Sequence, residues 1–291
     1  MLFDNGLLKC YPEYANKLGM LEVNKLGKLG RQSKAKTLKD TEGIFSGLYY
    51  VKSCELGQMQ IEVLLSQIVA DYGVSTCKYF PAVVDDKLGR CKCYAVVSEN
   101  VKGKDDKLLV DFIKDHRAIN PYFKSPYEID NEYTTEELHL PYIFTEKGLK
   151  EYVDAHIIRT ACGDVDGHSA NMVASVIDNR FLYPGKVDGI TLIDYGMADS
   201  FNNHYSQECL CFCNGLGGGI KKTRDEMIEL FKENEIVQSF YSNTEIAEKL
   251  GNLNVHDKVA EINNCLGFHI IPRIEDDVAR NIDYVAEELI K

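Results

Sequence analysis

The sequence has no apolar run approaching the roughly 18 residues that a membrane span needs, so no transmembrane helix is expected. Its first residues, MLFDNGLLKCYPEYANKLG, lack a basic head, a long apolar middle and a small-residue cleavage site. That argues against a secretory signal and for a cytoplasmic protein, delivery out of the cell by another route staying open. Positive charge is scarce: 33 Lys and Arg face 45 Asp and Glu, and the net charge of −12 argues against a broad nucleic-acid surface. Cysteine is plentiful, at ten, but none of it forms the C-x2-C knuckle that zinc sites favour. Cys91/Cys93 and Cys209/Cys211/Cys213 alternate instead, as small buried hydrophobes do on one face of a strand. Without a signal peptide, ten scattered cysteines read as reduced thiols rather than a disulfide framework. Internal repeats and low-complexity tracts are also missing.

What is present is ordinary for a globular protein: 291 residues, 45% hydrophobic and 27% charged, enough for one large domain or two lobes. Residues 45–52 (FSGLYYVK) are aromatic and β-branched and predict a strand with Leu48, Tyr50 and Lys52 on one face. Over 59–72 the period switches, and Ile61, Leu64, Leu65, Ile68 and Val69 make a helical stripe that Gly73 can end. Strands follow at 79–84 and 91–97, and the polar stretch 98–108 marks a boundary. Beyond it, helices are expected over 106–116 and 146–162, a loop over 163–171, and short strands near 172–177 and 189–194. The rest reads as helical, with capping boxes at Thr223/Glu226 and Ser242/Glu245 and a last amphipathic helix through Ile274, Val278, Ile282, Val285 and Leu289. The class is α+β: a small β-rich lobe with one helix over 1–100, then a larger, mostly helical lobe over 101–291.

Chemistry concentrates in 162–173, CGDVDGHSANMV, where Asp166, His168 and Asn171 form a D-x-H-x-x-N arrangement. Farther on, the apolar LIDYG segment carries Asp194 into a glycine turn. Phosphoryl transfer needs this kit: one carboxylate to orient the incoming hydroxyl and take its proton, and an amide oxygen and second carboxylate to hold Mg²⁺ on nucleotide phosphates. Asp166 and Asn171 have the five-residue spacing of a kinase catalytic loop, and Asp164 does not. Taken singly, such polar residues also suit a plain loop; the following strand–Asp–x–Gly makes the set specific. Upstream, Lys25, Lys28, Arg31, Lys34, Lys36 and Lys39 run without an acidic residue among them, and enclose Gly30, Gln32, Ser33 and Lys34. This is either a solvated loop or a phosphate pocket in which glycine lets backbone N–H groups close in. Gly215, Gly217, Gly218 and Gly219 lack a strand–loop–helix context and read as a plain loop. Lys52 and Glu62 alone would be an exposed lysine and a solvated carboxylate; beside the loop motifs they read as a pair that fixes the nucleotide's α- and β-phosphates.

Together these residues resemble the HipA-like kinases, a bacterial branch of the protein-kinase fold. Gly30, Gln32 and Lys34 match that family's G-x-Q-x-K loop, Glu62 and Gly73 its helix spacing, Asp166, His168 and Asn171 its catalytic loop, and Asp194 its metal-binding aspartate. The resemblance covers about residues 26 to 200 and implies a bilobal protein-kinase-like fold. It also implies ATP and Mg²⁺, with Asp166 as base, Asn171 and Asp194 as metal ligands, Lys52 on the phosphates, Glu62 orienting Lys52 and His168 bracing the loop. Adenine would hang from the backbone around Glu99 to Val101. The family phosphorylates serine or threonine on proteins, and several members are toxins held by a DNA-binding antitoxin partner. The chain departs in three ways: Asp164 stands where the family has asparagine, IDYG is nearer the D-F-G of ordinary kinases, and the family's extra N-terminal subdomain is missing. The same catalytic pattern occurs in phosphatidylinositol 3- and 4-kinases, which makes a lipid or small alcohol the rival acceptor and an ATP-binding pseudokinase the rival class.

Overall fold

A computed structural model describes residues 21–24, 36–40, 48–85, 92–99, 101–103, 105–119, 143–164, 171–177, 185–195, 207–209, 220–265 and 269–291. The chain divides into two compact units. One takes in described residues of Met1–Ile68, Cys77–Asn100 and Asn254–Ala279; the other takes in those of Val69–Thr76, Val101–Leu253 and Arg280–Lys291.

The first unit is built on an antiparallel sheet of β1 (Leu21–Asn24), β2 (Lys36–Asp40), β3 (Leu48–Ser53), β5 (Tyr79–Asp85) and β6 (Lys92–Glu99), in the order β1-β2-β3-β6-β5. The aromatic and β-branched run of β3 pairs on both sides, with Lys52 opposite Val96 of β6. Helix α1 (Leu56–Tyr72) follows β3 after two residues. Its apolar stripe is where the spacing puts it, but burial is wider: every residue of 59–66 is buried, Gln60 and Glu62 included. A helix enclosed all round must satisfy its polar side chains internally. Gln60 does so by donating to the His269 carbonyl at 2.8 Å and accepting from the Ile271 N–H at 3.1 Å. Gly73, at φ 95°, ends the helix in the left-handed region that glycine enters without strain.

The second unit holds the four-stranded sheet β4 (Ser75–Thr76), β9 (Lys186–Leu192), β8 (Met172–Ile177) and β7 (Lys107–Leu108), together with β10 (Gln207–Cys209) paired to β11 (Ile220–Lys222). Helix α2 (Leu109–Ile119) begins three residues later than the expected 106, because Lys107 and Leu108 pair with β8. The β9 strand starts three residues before its expected position near 189–194 and ends two before it, so that Asp194 follows the strand rather than ending it. Helix α3 (Glu146–Ala161) is buried along most of its length and carries Arg159. It is capped by Thr145, whose hydroxyl accepts from the Gly148 N–H at 3.0 Å and donates to Asp188 at 2.7 Å. Both expected capping boxes are present, opening α4 (Arg224–Glu233) and α6 (Asn243–Gly251), with α5 (Glu235–Phe240) between them. Helix α7 (Val255–Cys265) and the first residues of α8 (Pro272–Leu289) belong to the first unit and the rest of α8 to the second; the α8 stripe of Ile274, Val278, Ile282, Val285 and Leu289 is buried as its spacing requires.

Two readings of the chain are corrected by pairing that local pattern does not reveal. The basic stretch ends in strand β2, held between β1 and β3, rather than in loop. The region after 194, read as helical, contains the β10–β11 pair. Strands of three to five residues carry too little periodicity to announce themselves, and their partners supply the order. Among the described residues no helix is long and apolar enough to cross a membrane.

Candidate functional site

In the first unit, the strand-to-helix step from β3 to α1 sets Lys52 against Glu62. The lysine Nζ donates to Glu62 Oε1 at 2.9 Å; the glutamate side chain is fully buried and the lysine retains 14% exposure. A carboxylate enclosed by apolar neighbours is costly unless a cation meets it, so Lys52 and Glu62 define each other's position. Cys54 lies beside this pair, and burial, with the Glu62 charge, pushes its thiol up to about 12. Glu99 is the last residue of β6 and Val101 follows just beyond it, half-buried.

In the second unit, β8 and β9 run antiparallel with Met172 opposite Leu192, which brings Asn171, just before β8, level with Ile193, just after β9. The Ile193 N–H donates to the Asn171 carbonyl at 3.0 Å. Asn171 is buried at 7% exposure and Asp194 is half-buried, so the carboxamide and the carboxylate stand at adjoining strand ends. Asp194 has φ 57°, left-handed backbone that non-glycine residues seldom adopt. After it, Tyr195 is wholly buried, its hydroxyl 2.6 Å from Thr76 Oγ1. Thr76 also donates to the Leu192 carbonyl at 3.2 Å.

Arg159 and Asp164 carry signals that residue spacing does not expose. Arg159 is buried in α3, with Nε 3.1 Å from Asp164 Oδ2; both side chains are fully enclosed. Its Nη2 donates to the Ile193 carbonyl at 2.8 Å and the Asp194 carbonyl at 3.2 Å. Asp164, the carboxylate that stands where the HipA-like pattern has asparagine, meets the Arg159 cation. The arginine's place in an apolar run, HIIRTAC, is the one hint a sequence carries. Gly30, Gln32, Ser33 and Lys34, and also Asp166 and His168, lie outside the described residues. Of the expected cysteine pairs, Cys93 falls in β6 and Cys209 ends β10, whereas Cys91, Cys211 and Cys213 also lie outside them.

No family model matches the chain, and no curated protein does. Solved structures do. A Helicobacter pylori proinflammatory kinase, CtkA, superposes with a TM-score of 0.51 over 92% of this chain and 92% of its own, at 12% identity. The fold is kinase-like. A microcompartment-associated aminopropanol kinase matches with a TM-score of 0.30 at 14% identity, over 93% of this chain and 82% of that one. A MAP kinase of Leishmania major matches with a TM-score of 0.32 at 14% identity, over 98% and 82%. In this kinase-like fold, a small five-stranded sheet with one enclosed helix precedes a mostly helical remainder.

The oxygen donors at the strand ends suit a hard divalent ion. Among the described residues no group of three or more His, Cys, Asp or Glu side chains could hold a metal by itself. Asn171 and Asp194 could supply one amide oxygen and one carboxylate, a partial set of the kind Mg²⁺ accepts when phosphate and water fill its other positions.

Proposed function

We propose that this chain is a HipA-like, ATP–Mg²⁺-dependent kinase that transfers the γ-phosphoryl group to a serine or threonine hydroxyl of a protein, itself included. The observation that carries the reading is the 2.9 Å pair of Lys52 with the buried Glu62, a strand lysine held by a helix carboxylate. The cost of enclosing Glu62 is offset in part by the Lys52 ammonium at 2.9 Å, and the pair so fixed would present a cation to nucleotide phosphates. Lys52 holds the α- and β-phosphates, and Glu62 keeps the ammonium from swinging away. Gly30, Gln32, Ser33 and Lys34 cover the phosphates, and the backbone from Glu99 to Val101 takes the adenine. Asn171 and Asp194 would hold Mg²⁺, which would neutralise charge on the phosphates. Asp166 orients the acceptor hydroxyl and takes its proton as the γ-phosphorus is attacked; His168 braces that loop. Transfer forms the acceptor O–P bond and breaks the bond from γ-phosphorus to the β,γ-bridging oxygen, releasing ADP.

Purified protein incubated with labelled ATP and Mg²⁺ is expected to label itself, with Ser33 and Thr37 as acceptors, or to label a protein in a cell lysate. Asp166→Asn should cut the rate by about 10²- to 10⁴-fold with an unchanged circular dichroism spectrum. No transfer to any protein would end the Ser/Thr reading. The IDYG segment favours a second reading, in which the acceptor is a phosphoinositide or a small alcohol; a lipid and alcohol panel run beside the proteins separates the two. Nucleotide binding without turnover on any acceptor would make the chain a pseudokinase. An antitoxin-type regulator is the expected partner class, and a cytoplasmic location the expected site of action.

A further inference from the structure

The deepest charge pair in the second unit serves no step of the transfer just described, yet it touches the backbone of one proposed metal ligand. Arg159 is 1% exposed and Asp164 0%. The guanidinium Nε lies 3.1 Å from Asp164 Oδ2 as an ion pair, and Nη2 donates to the carbonyls of Ile193 and Asp194 at 2.8 and 3.2 Å. The Tyr195 ring centre is 5.6 Å from its central carbon. The turn leading to Asp164 is tied to the same residue: the Asp164 N–H donates to the Arg159 carbonyl at 2.9 Å, and Gly163 makes the bend at φ 72°. Two carbonyls on either side of the Asp194 α-carbon are thus held by one planar fork. Between them Asp194 keeps φ 57°, a conformation unfavourable for a non-glycine residue, though less so for aspartate than for most, and one that these two hydrogen bonds support.

We infer that Arg159 is a positioning residue: its hydrogen bonds to the Ile193 and Asp194 carbonyls hold Asp194 in the left-handed conformation that sets the direction of its carboxylate, and Asp164 fixes Arg159 in turn. This deepens the kinase reading and rests on Asp194 being a metal ligand. The side chain must be arginine. Its rigid, planar group donates to two carbonyls while its charge faces the Asp164 carboxylate, whereas a lysine ammonium, a point charge on a flexible stem, can meet Asp164 or the carbonyls but not the whole set in this geometry. Asp164 two positions before Asp166 then acts through the arginine and not as a ligand.

The test titrates Mn²⁺ into full-length protein with a non-hydrolysable ATP analogue, reading free Mn²⁺ by electron paramagnetic resonance, for wild type, Arg159→Lys and Asp164→Asn. Circular dichroism and thermal unfolding report folding, and analogue binding without metal reports the nucleotide pocket. The expected result is folded variants with metal-free nucleotide binding within about two-fold of wild type and Mn²⁺ affinity weakened about 10- to 100-fold, the usual effect of removing an outer partner of a ligand. Half-saturating Mg²⁺ for activity should rise in parallel, with the acceptor KM unchanged. Wild-type Mn²⁺ affinity in a folded Arg159→Lys or Asp164→Asn protein, even one with a lowered melting temperature, overturns the inference and leaves the kinase reading standing. Wild-type protein that takes up no Mn²⁺ with nucleotide overturns both. If the lysine variant does not fold, the near-isosteric asparagine variant decides alone.

Discussion

His156 shows how one buried side chain makes stability depend on pH. It lies in α3 with its ring at the edge of Tyr152, the centroids 4.6 Å apart. Burial first, and then the Arg159 cation, push its imidazole down from 6.5 to about 3. The unfolded chain therefore takes up a proton before the folded one as the pH falls. The support that neutral His156 lends is complete above about pH 6.5 and is lost between about 6.5 and 3, at up to ~1.4 kcal/mol per pH unit. The urea midpoint of the wild type is expected to drop from pH 7 to pH 5, and that of His156→Gln to drop less. Equal slopes would show that other groups carry the whole effect. Cys54 behaves oppositely, its thiol protonated until about 12, so it should react slowly with alkylating reagents at pH 8 while the protein is folded.

Elements are locked by a few close approaches. Gly148, in the first turn of α3, has no room for a side chain: an added Cβ would lie 2.2 Å from the Val187 carbonyl oxygen. That oxygen also accepts the Thr145 N–H at 2.9 Å, so the helix start and β9 are held together at the point of closest contact. Gly148→Ala should cost about 1–3 kcal/mol or more in urea titrations, because the obstacle is backbone and cannot rotate aside. A wild-type midpoint would mean that α3 slides along β9 without penalty. A second lock is polar. Asp154 of α3 accepts from Tyr241 at 2.8 and 2.9 Å, from Lys249 of α6 at 2.8 Å and from Lys150 at 3.1 Å. The Lys249 ammonium lies 3.8 Å from the centre of the Tyr72 ring, at the end of α1. Each group in this cluster is answered by another, and so the carboxylate can stay buried.

At the scale of the whole molecule, the proposed function makes stability depend on ligand. Nucleotide that binds only the folded chain adds RT ln(1 + [L]/Kd), about 2.7 kcal/mol at a hundred times Kd, and raises the melting temperature. With Mg²⁺ and a non-hydrolysable ATP analogue a rise of several degrees is expected, and EDTA should remove most of it if metal bridges protein and phosphates. A rise that EDTA leaves intact would detach Asn171 and Asp194 from the nucleotide. No rise with any nucleotide would end the ATP-dependent reading.

The sequence by itself determined the long elements and supplied the residue types of the proposed site. The α1 and α8 stripes, both capping boxes, and the β3, β5 and β6 strands were legible because amphipathic period and capping chemistry are local, each residue reporting its own environment. Lys52, Glu62, Asn171 and Asp194 were singled out because the proposed phosphoryl transfer would use those groups in that order. Only the tertiary structure decided that Lys52 meets Glu62, that β2 is strand and not loop, and that Arg159 lies between Asp164 and the carbonyls around Asp194. Such features depend on strand partners and on which buried charge meets which. Pairing of that kind joins residues through space, so no spacing along the chain records it.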